Sequence, residues 1–310
     1  ARQLAEPSFP EAVWQIERER WLSGLRESNT KPNVQASRAF SRAVFGLHPY
    51  GREVDEVSLQ AIGTEGMKAF HAKHLLPCRA KVSIVGALNR EQASARAQQL
   101  LEGLPSGTSC ELLPWVDEVQ PLAQGQRIDV PFESAQAHVF IGQPGIARLH
   151  PDFMALTVGN YVLGGGGFVS RLTEQVREKR GLSYSIYSYF APGQHAGAFT
   201  VGLQTRPDQA GQAVEVAFDV VSEFVAKGPT EAELQAAKDF LIGGFALRLD
   251  SNRKLMDNLS NIAWFDLPLD YLDTWTEQVS RLSVSDIQQA FARNLDPDRM
   301  VTVVLGASQP

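Results

Sequence analysis

Cysteine is nearly absent, with Cys78 and Cys110 the only two in 310 residues. Two cysteines build neither a disulfide framework nor a Cys-rich zinc cluster, and they leave oxidising and reducing compartments both open. No run approaches the ~18 consecutive apolar residues of a membrane-spanning helix. No signal peptide is visible, although a chain that starts at Ala1 rather than Met is compatible with a removed leader. Net charge is −6 and there is no long basic run, which argues against nucleic acid or an acidic membrane as the main partner. Histidine is scarce as well: His48, His71, His74, His138, His150 and His195 are the full set.

What is present is enough for folding. Apolar residues make up 44% of the chain, so a sizeable core can form, and the length suits two domains rather than one. The chain also resembles itself at an offset of about 220. "PEAVWQ" at 10–15 lies against "TEAELQ" at 230–235, and "RAVFGLHP" at 42–49 against "IAWFDLPL" at 262–269. "MKAFHAKHLLPCRAKVSIVGA" at 67–87 matches "IQQAFARNLDPDRMVTVVLGA" at 287–307 with a one-residue slip. Three matches in order at nearly one offset indicate duplication. The second copy starts with "QRIDV" near 126, so roughly 90 residues of the first copy have no counterpart here, a length within the usual domain range. The expected division is 1–104 as the C-terminal part of the first repeat domain, 105–125 as a linker rich in turn residues, and 126–310 as a complete second repeat domain.

Periodicity and turn residues predict the elements. Helices are expected to about 28, opened by a Ser8/Glu11 capping box, then near 34–45 and 58–75, with a strand at 80–86 and a helix from 89. The second copy is expected to place strands near 126–131, 136–142, 182–190, 196–205 and 299–306. Its helices fall near 151–163, 168–180, 208–227, 230–249 and 252–265, with two more before the last strand. Strands gathered early and helices later predict an α+β fold: duplicated mixed-sheet sandwich domains, each with helices packed on one face.

One stretch carries the chemistry: "GGGGFVSRLTEQVREKRGLSYSIYSYF" at 164–190. Val169, Leu172 and Val176 form an inward helix face, Arg177 falls in the last turn, Gly181 stops the helix, and a tyrosine-dotted strand follows. Glycines 164–167 let another backbone approach without meeting Cβ atoms. An Arg guanidinium and a Tyr hydroxyl are both donors, suited to a peptide carbonyl or to an oxyanion. The plainer alternative is that Arg177 complements a helix C-terminus and Tyr184 is a core aromatic. The glycine run, Arg177-x6-Tyr184 and "HPYG" at 48–51 resemble the pitrilysin/insulinase family of zinc peptidases, including mitochondrial processing peptidase. The resemblance implies a duplicated α+β domain enclosing a chamber. It also implies substrate binding by Gly164, Gly165, Gly166, Gly167, Arg177 and Tyr184.

Glu17 shares a helix stripe with Val13, Trp14 and Trp21, where a carboxylate needs a partner or a metal. The resemblance makes it the counterpart of the third zinc ligand; the alternative is a solvent-facing Glu or one paired with Arg20. The repeat partner of Glu17 is Ala237. The family's His-x-x-Glu-His, two ligands one turn apart with a general base between, matches none of the six histidines. "HAKH" at 71–74 has ligand spacing but no intervening Glu, and reads as a solvated helix end. No catalytic residue is therefore assigned to this chain, and no zinc is expected in it alone.

The resemblance then implies a chain that binds peptide substrate for a zinc-bearing partner, either a homologous subunit or an identical chain in a dimer. A zinc endopeptidase whose motif precedes residue 1 is the second reading, and a non-enzymatic structural relative the third. The compartment stays open between bacterial periplasm and cytoplasm.

Overall fold

The computed structural model describes residues 1–105, 110 and 113–307. Six helices come first: α1 (Arg2–Ala5), α2 (Glu11–Asn29), α3 (Pro32–Phe45), α4 (Glu56–Ala61), α5 (Thr64–His74) and α6 (Arg90–Leu101). Two strands follow, β1 (Gln126–Val130) and β2 (Ala137–Pro144), then α7 (Phe153–Asn160). Next come β3 (Ser185–Phe190), β4 (Ala198–Thr205), α8 (Ala210–Lys227), α9 (Glu231–Gly243) and α10 (Asn252–Phe265). The chain closes with α11 (Tyr271–Arg281), α12 (Val284–Asn294) and β5 (Val301–Leu305). Of the linker at 105–125, residues 106–109 and 111–112 lie outside the described residues.

The repeat offset holds in the helices. α3 and α10 are related by a shift of 220 residues at both ends, and so are α5 and α12. Reciprocal caps start four helices, with Asp55/Ser58, Asn89/Gln92, Thr230/Glu233 and Ser283/Asp286 satisfying each other's amides. The Ser8/Glu11 box does not form. Glu11 instead accepts from Thr64 Oγ1 at 2.6 Å and Gln15 Nε2 at 2.5 Å, and α2 starts after Pro10.

The described residues group into two compact units that are not contiguous in sequence. One comprises 1–28, 54–115 and 246–269, the other 29–53, 116–245 and 270–310. In the second, a five-stranded mixed sheet runs β1-β5-β2-β4-β3, with β1 and β5 parallel and the other pairs antiparallel. Val139 and Ile141 of β2, Val201 and Leu203 of β4 and Val304 of β5 point to one face, where α7, α8, α9, α11 and α12 build the main core around Phe199, Phe224 and Phe291. The α+β reading therefore holds. Pleat alternation turns Val301, Val303 and Leu305 the other way, and α3 covers them with Ala36, Phe40 and Val44. A helix of the first copy thus packs on the second copy's sheet, a feature beyond the expected one-sided helix layer.

In the first unit, Leu22, Leu59, Leu76 and Leu104 are buried. Lys81 Nζ donates to Ala263 O at 2.7 Å and to Asp266 Oδ1 at 2.6 Å, which ties the 80s to the end of α10. The strand expected at 80–86 is absent, because these residues pair with no neighbour. Its repeat counterpart, β5, is a strand only because β1 and β2 flank it. Cys78 and Cys110 form a disulfide with Cα atoms 6.3 Å apart, although the pair was too few for a framework.

Candidate functional site

The glycine run does not unwind into a free loop. α7 passes into a π-helical turn at Tyr161–Gly165, a wider coil that presses Gly164 onto β3. A Cβ at Gly164 would lie 2.6 Å from the Ser188 amide nitrogen, and one at Gly165 2.8 Å from Asn160 Nδ2. Asn160 locks this junction, donating to Ser188 O at 2.9 Å and accepting from Ser188 Oγ at 2.7 Å. Gly167 is different: its φ is +62° and the space where a Cβ would point is open. The run therefore divides into packing glycines at 164–166 and a solvent-facing turn at 167.

That turn projects Phe168 and Val169 into solvent. The sequence placed Val169 on an inward helix face; it lies outside because the helix begins only after Ser170, leaving Leu172 and Val176 to fill the core. A second π-helical stretch, Thr173–Glu178, carries Arg177 near its end, and the chain turns at Gly181 into β3. Tyr184 precedes the strand's first ladder residue and is 81% exposed, so it is no core aromatic.

These elements bring the expected residues together. The Arg177 guanidinium lies over the Phe168 ring at 4.7 Å and over the Tyr184 ring at 5.5 Å. Two aromatic faces orient a planar cation whose N–H edges stay available, since among the described residues Arg177 Nε meets only the neighbouring Glu178 carboxylate, at 3.4 Å. An oriented fork of donors beside an exposed phenol suits a carbonyl or carboxylate oxygen. Phe168 was missed by the sequence reading; an aromatic directly after a glycine run was its signal.

Glu17 belongs to the other unit. It pairs with Arg20 at 3.8 Å, and Trp14 and Trp21 flank it on a largely exposed apolar face. No group of three or more His, Cys, Asp or Glu among the described residues could hold a metal. The donor set around Glu17 does not fit a zinc ion, and no chemical step here runs through one. His71 and His74 end α5, where His71 Nε2 meets Leu4 O at 2.7 Å.

A model of the peptidase M16 inactive domain matches residues 62–241, more than half the chain. The chain belongs to this family. The M16 relatives include an uncharacterized zinc protease of Streptomyces coelicolor, 27% identical over 94% of this chain and 64% of its own length. Another, of Helicobacter pylori, is described as a non-peptidase homolog and is 28% identical over 92% of this chain and 65% of its own. The chain thus spans somewhat less than two thirds of either. A crystal structure of a peptidase M16 inactive domain from Pseudomonas fluorescens superposes with a TM-score of 0.93 and 33% identity, over 99% of this chain and 73% of that one. No described helix of this M16 chain is long and apolar enough to cross a membrane.

Proposed function

We propose that this M16 chain is a non-catalytic peptide-binding subunit that presents substrate to a zinc-bearing partner of the same family. The observation that carries this reading is the Phe168–Arg177–Tyr184 cluster: an aromatically clamped guanidinium beside an exposed phenol, at the foot of a glycine-pinned junction. Its own residues bind and orient. Arg177 donates to a peptide carbonyl, Tyr184 adds a second donor, and the Gly167 turn leaves room for the backbone. Gly164 serves by packing that turn against β3, and Gly165 and Gly166 by packing it against Asn160 and Tyr161. Chemistry belongs to the partner, a reading supported by the inactive-domain match.

The Cys78–Cys110 bond supports an oxidising location such as the bacterial periplasm. The experiment is direct. Arg177→Ala and Tyr184→Phe should each weaken binding of a fluorescein-labelled extended decapeptide about tenfold, and lower turnover of the assembled enzyme by about 10²–10³ if the donors face an oxyanion. Melting temperature should hold in both variants, because neither side chain is buried in the core. Undiminished binding and turnover in both would end this reading.

A further inference from the structure

The two edges of the five-stranded sheet are treated differently. At the β3 edge, the Ser188 carbonyl accepts from Asn160 Nδ2 at 2.9 Å and the Ile186 carbonyl from Thr173 Oγ1 at 3.5 Å. Side chains from the helical turns before β3 thus occupy that edge. β1 ends the strand order on the other side, and among the described residues nothing bonds to its outer backbone. Its ladder shows which groups face outward. The Gln126 amide donates to Met300 O at 3.3 Å, and the Val130 carbonyl accepts from the Gly306 amide at 3.2 Å. Backbone groups alternate sides along a strand, so Gln126, Ile128 and Val130 face β5. The N–H and C=O of Arg127 and Asp129 therefore face away from the sheet.

An unpaired edge is a template for another strand, and proteins commonly blunt it with lysine, proline or a bulge. β1 instead carries one charge of each sign, in the order Gln-Arg-Ile-Asp-Val. Arg127 and Asp129 lie on one face, with side chains 49% and 61% exposed, and pair with each other at 3.0 Å. Set β1 antiparallel to a second copy of itself, with Ile128 opposite Ile128. Arg127 then stands opposite Asp129, and Asp129 opposite Arg127. These are the residues whose backbone faces outward, so each such pair exchanges both of its N–H···O bonds. Opposite charges directly across a ladder attract, and like charges repel. Other registers fail on one count or the other. A slip of two residues sets Arg127 against Arg127 or Asp129 against Asp129, and a slip of one sets outward groups against inward ones. A parallel copy in register also opposes like charges. Backbone phase and charge select the same alignment.

We propose that the β1 edge is a two-fold interface that joins two copies of this chain through one continuous sheet. Each copy offers the same patch to the other, which is the self-complementary contact of a C2 dimer. The axis stands perpendicular to the sheet between the two Ile128 residues, so α3 covers the same face in both copies. β3, with Tyr184 leading into it, stays at the far edge of each copy, and the peptide-binding reading plays no part in this inference. A five-residue strand buries little area. Interfaces under ~1,200 Å² belong to weak, transient association, so the dimer forms reversibly in the micromolar range.

Sedimentation equilibrium of the full chain over roughly 1–300 µM should show a reversible monomer–dimer equilibrium. Arg127→Asp sets a carboxylate against Asp129 of the second copy, and Asp129→Arg sets a guanidinium against its Arg127. Each variant alone should dimerise about tenfold more weakly than the parent. Mixed in equal amounts, the two place both carboxylates of one chain opposite both guanidiniums of the other, and a mixed dimer should regain parent strength. The double swap Arg127→Asp/Asp129→Arg should regain it alone. Melting temperatures should match the parent, because both side chains are exposed. If one single variant does not fold, the other and the double swap carry the test. A parent that stays monomeric throughout, single variants that dimerise as the parent does, or a mixture no stronger than its components each overturn the interface. Growth beyond a dimer overturns it too, since a two-fold edge contact closes on itself.

Discussion

Arg171 and Glu233 exchange two hydrogen bonds of 2.7 Å across 62 residues of sequence, joining the approach to the Arg177 helix to the cap of α9. The Arg171 guanidinium, helped by Thr230, holds the Glu233 carboxyl at about 2 against an ordinary 4.5. A carboxyl lowered on folding stabilises fully above its unfolded value and loses that contribution as pH falls through its folded one. Glu233→Gln should therefore cost about 2 kcal/mol at neutral pH, after discounting for partial exposure, and should flatten the loss of stability between pH ~4.5 and ~2. Denaturant melts of both proteins across that window check it. Gly164→Ala is the second test at this scale. The sequence suggested that the run lets another backbone approach without meeting Cβ atoms; the Ser188 backbone leaves no room at Gly164, so overpacking of about 1–3 kcal/mol is expected. Ala at 167 meets no neighbour and bears only the strain of its φ, on the order of 1 kcal/mol. Arg177 and Tyr184 were legible because helix, stop and strand follow one another locally. Exposure was not, and so Phe168 went unnoticed and Val169 was turned inward.

Elements were legible where their partners lie within the chain. The five strands and α7 to α12 follow from alternation and 3.6-residue stripes, with ends shifted by a few residues. "KVSIVG" at 81–86 has the same Val/Ile pattern as β5 but no ladder beside it, and pattern alone does not reveal a missing neighbour. The π-helical turns at 161–165 and 173–178 were equally invisible, since one extra residue per turn leaves no compositional mark. The repeat was legible, but the placement of α3 was not, because an internal match shows what is similar rather than what touches. A fragment covering 116–310 lacks the helix that buries Val301, Val303 and Leu305. It should bind a hydrophobic dye and aggregate, and a synthetic 29–53 peptide added during refolding should suppress both, as light scattering will report.

Across the whole molecule, the Cys78–Cys110 bond closes a loop with a sequence separation of 32 and anchors the head of the linker. Loop-closure entropy makes such a bond worth about 3–4 kcal/mol. Reductant should lower the melting temperature of the native chain and leave a Cys78→Ser/Cys110→Ser double variant unchanged. Thiol labelling should find no free cysteine until the protein is denatured and reduced; labelling of both in the untreated protein would remove the ground for an oxidising compartment.

The strand order carries a consequence in time. β5 is the last strand in the chain yet sits second in the sheet, between β1 and β2. A ribosome must deliver some 260 further residues, from the end of α3 at 45 to the end of β5 at 305, before α3 can meet the strand it covers. At roughly 5–20 residues per second, that is a wait of about 13–52 s. Throughout it α3 has only the earlier-made Phe140 of β2 and its neighbours to rest on and lacks Val301, Val303 and Leu305, so a nascent chain stalled short of residue 301 is a natural client for a holding chaperone.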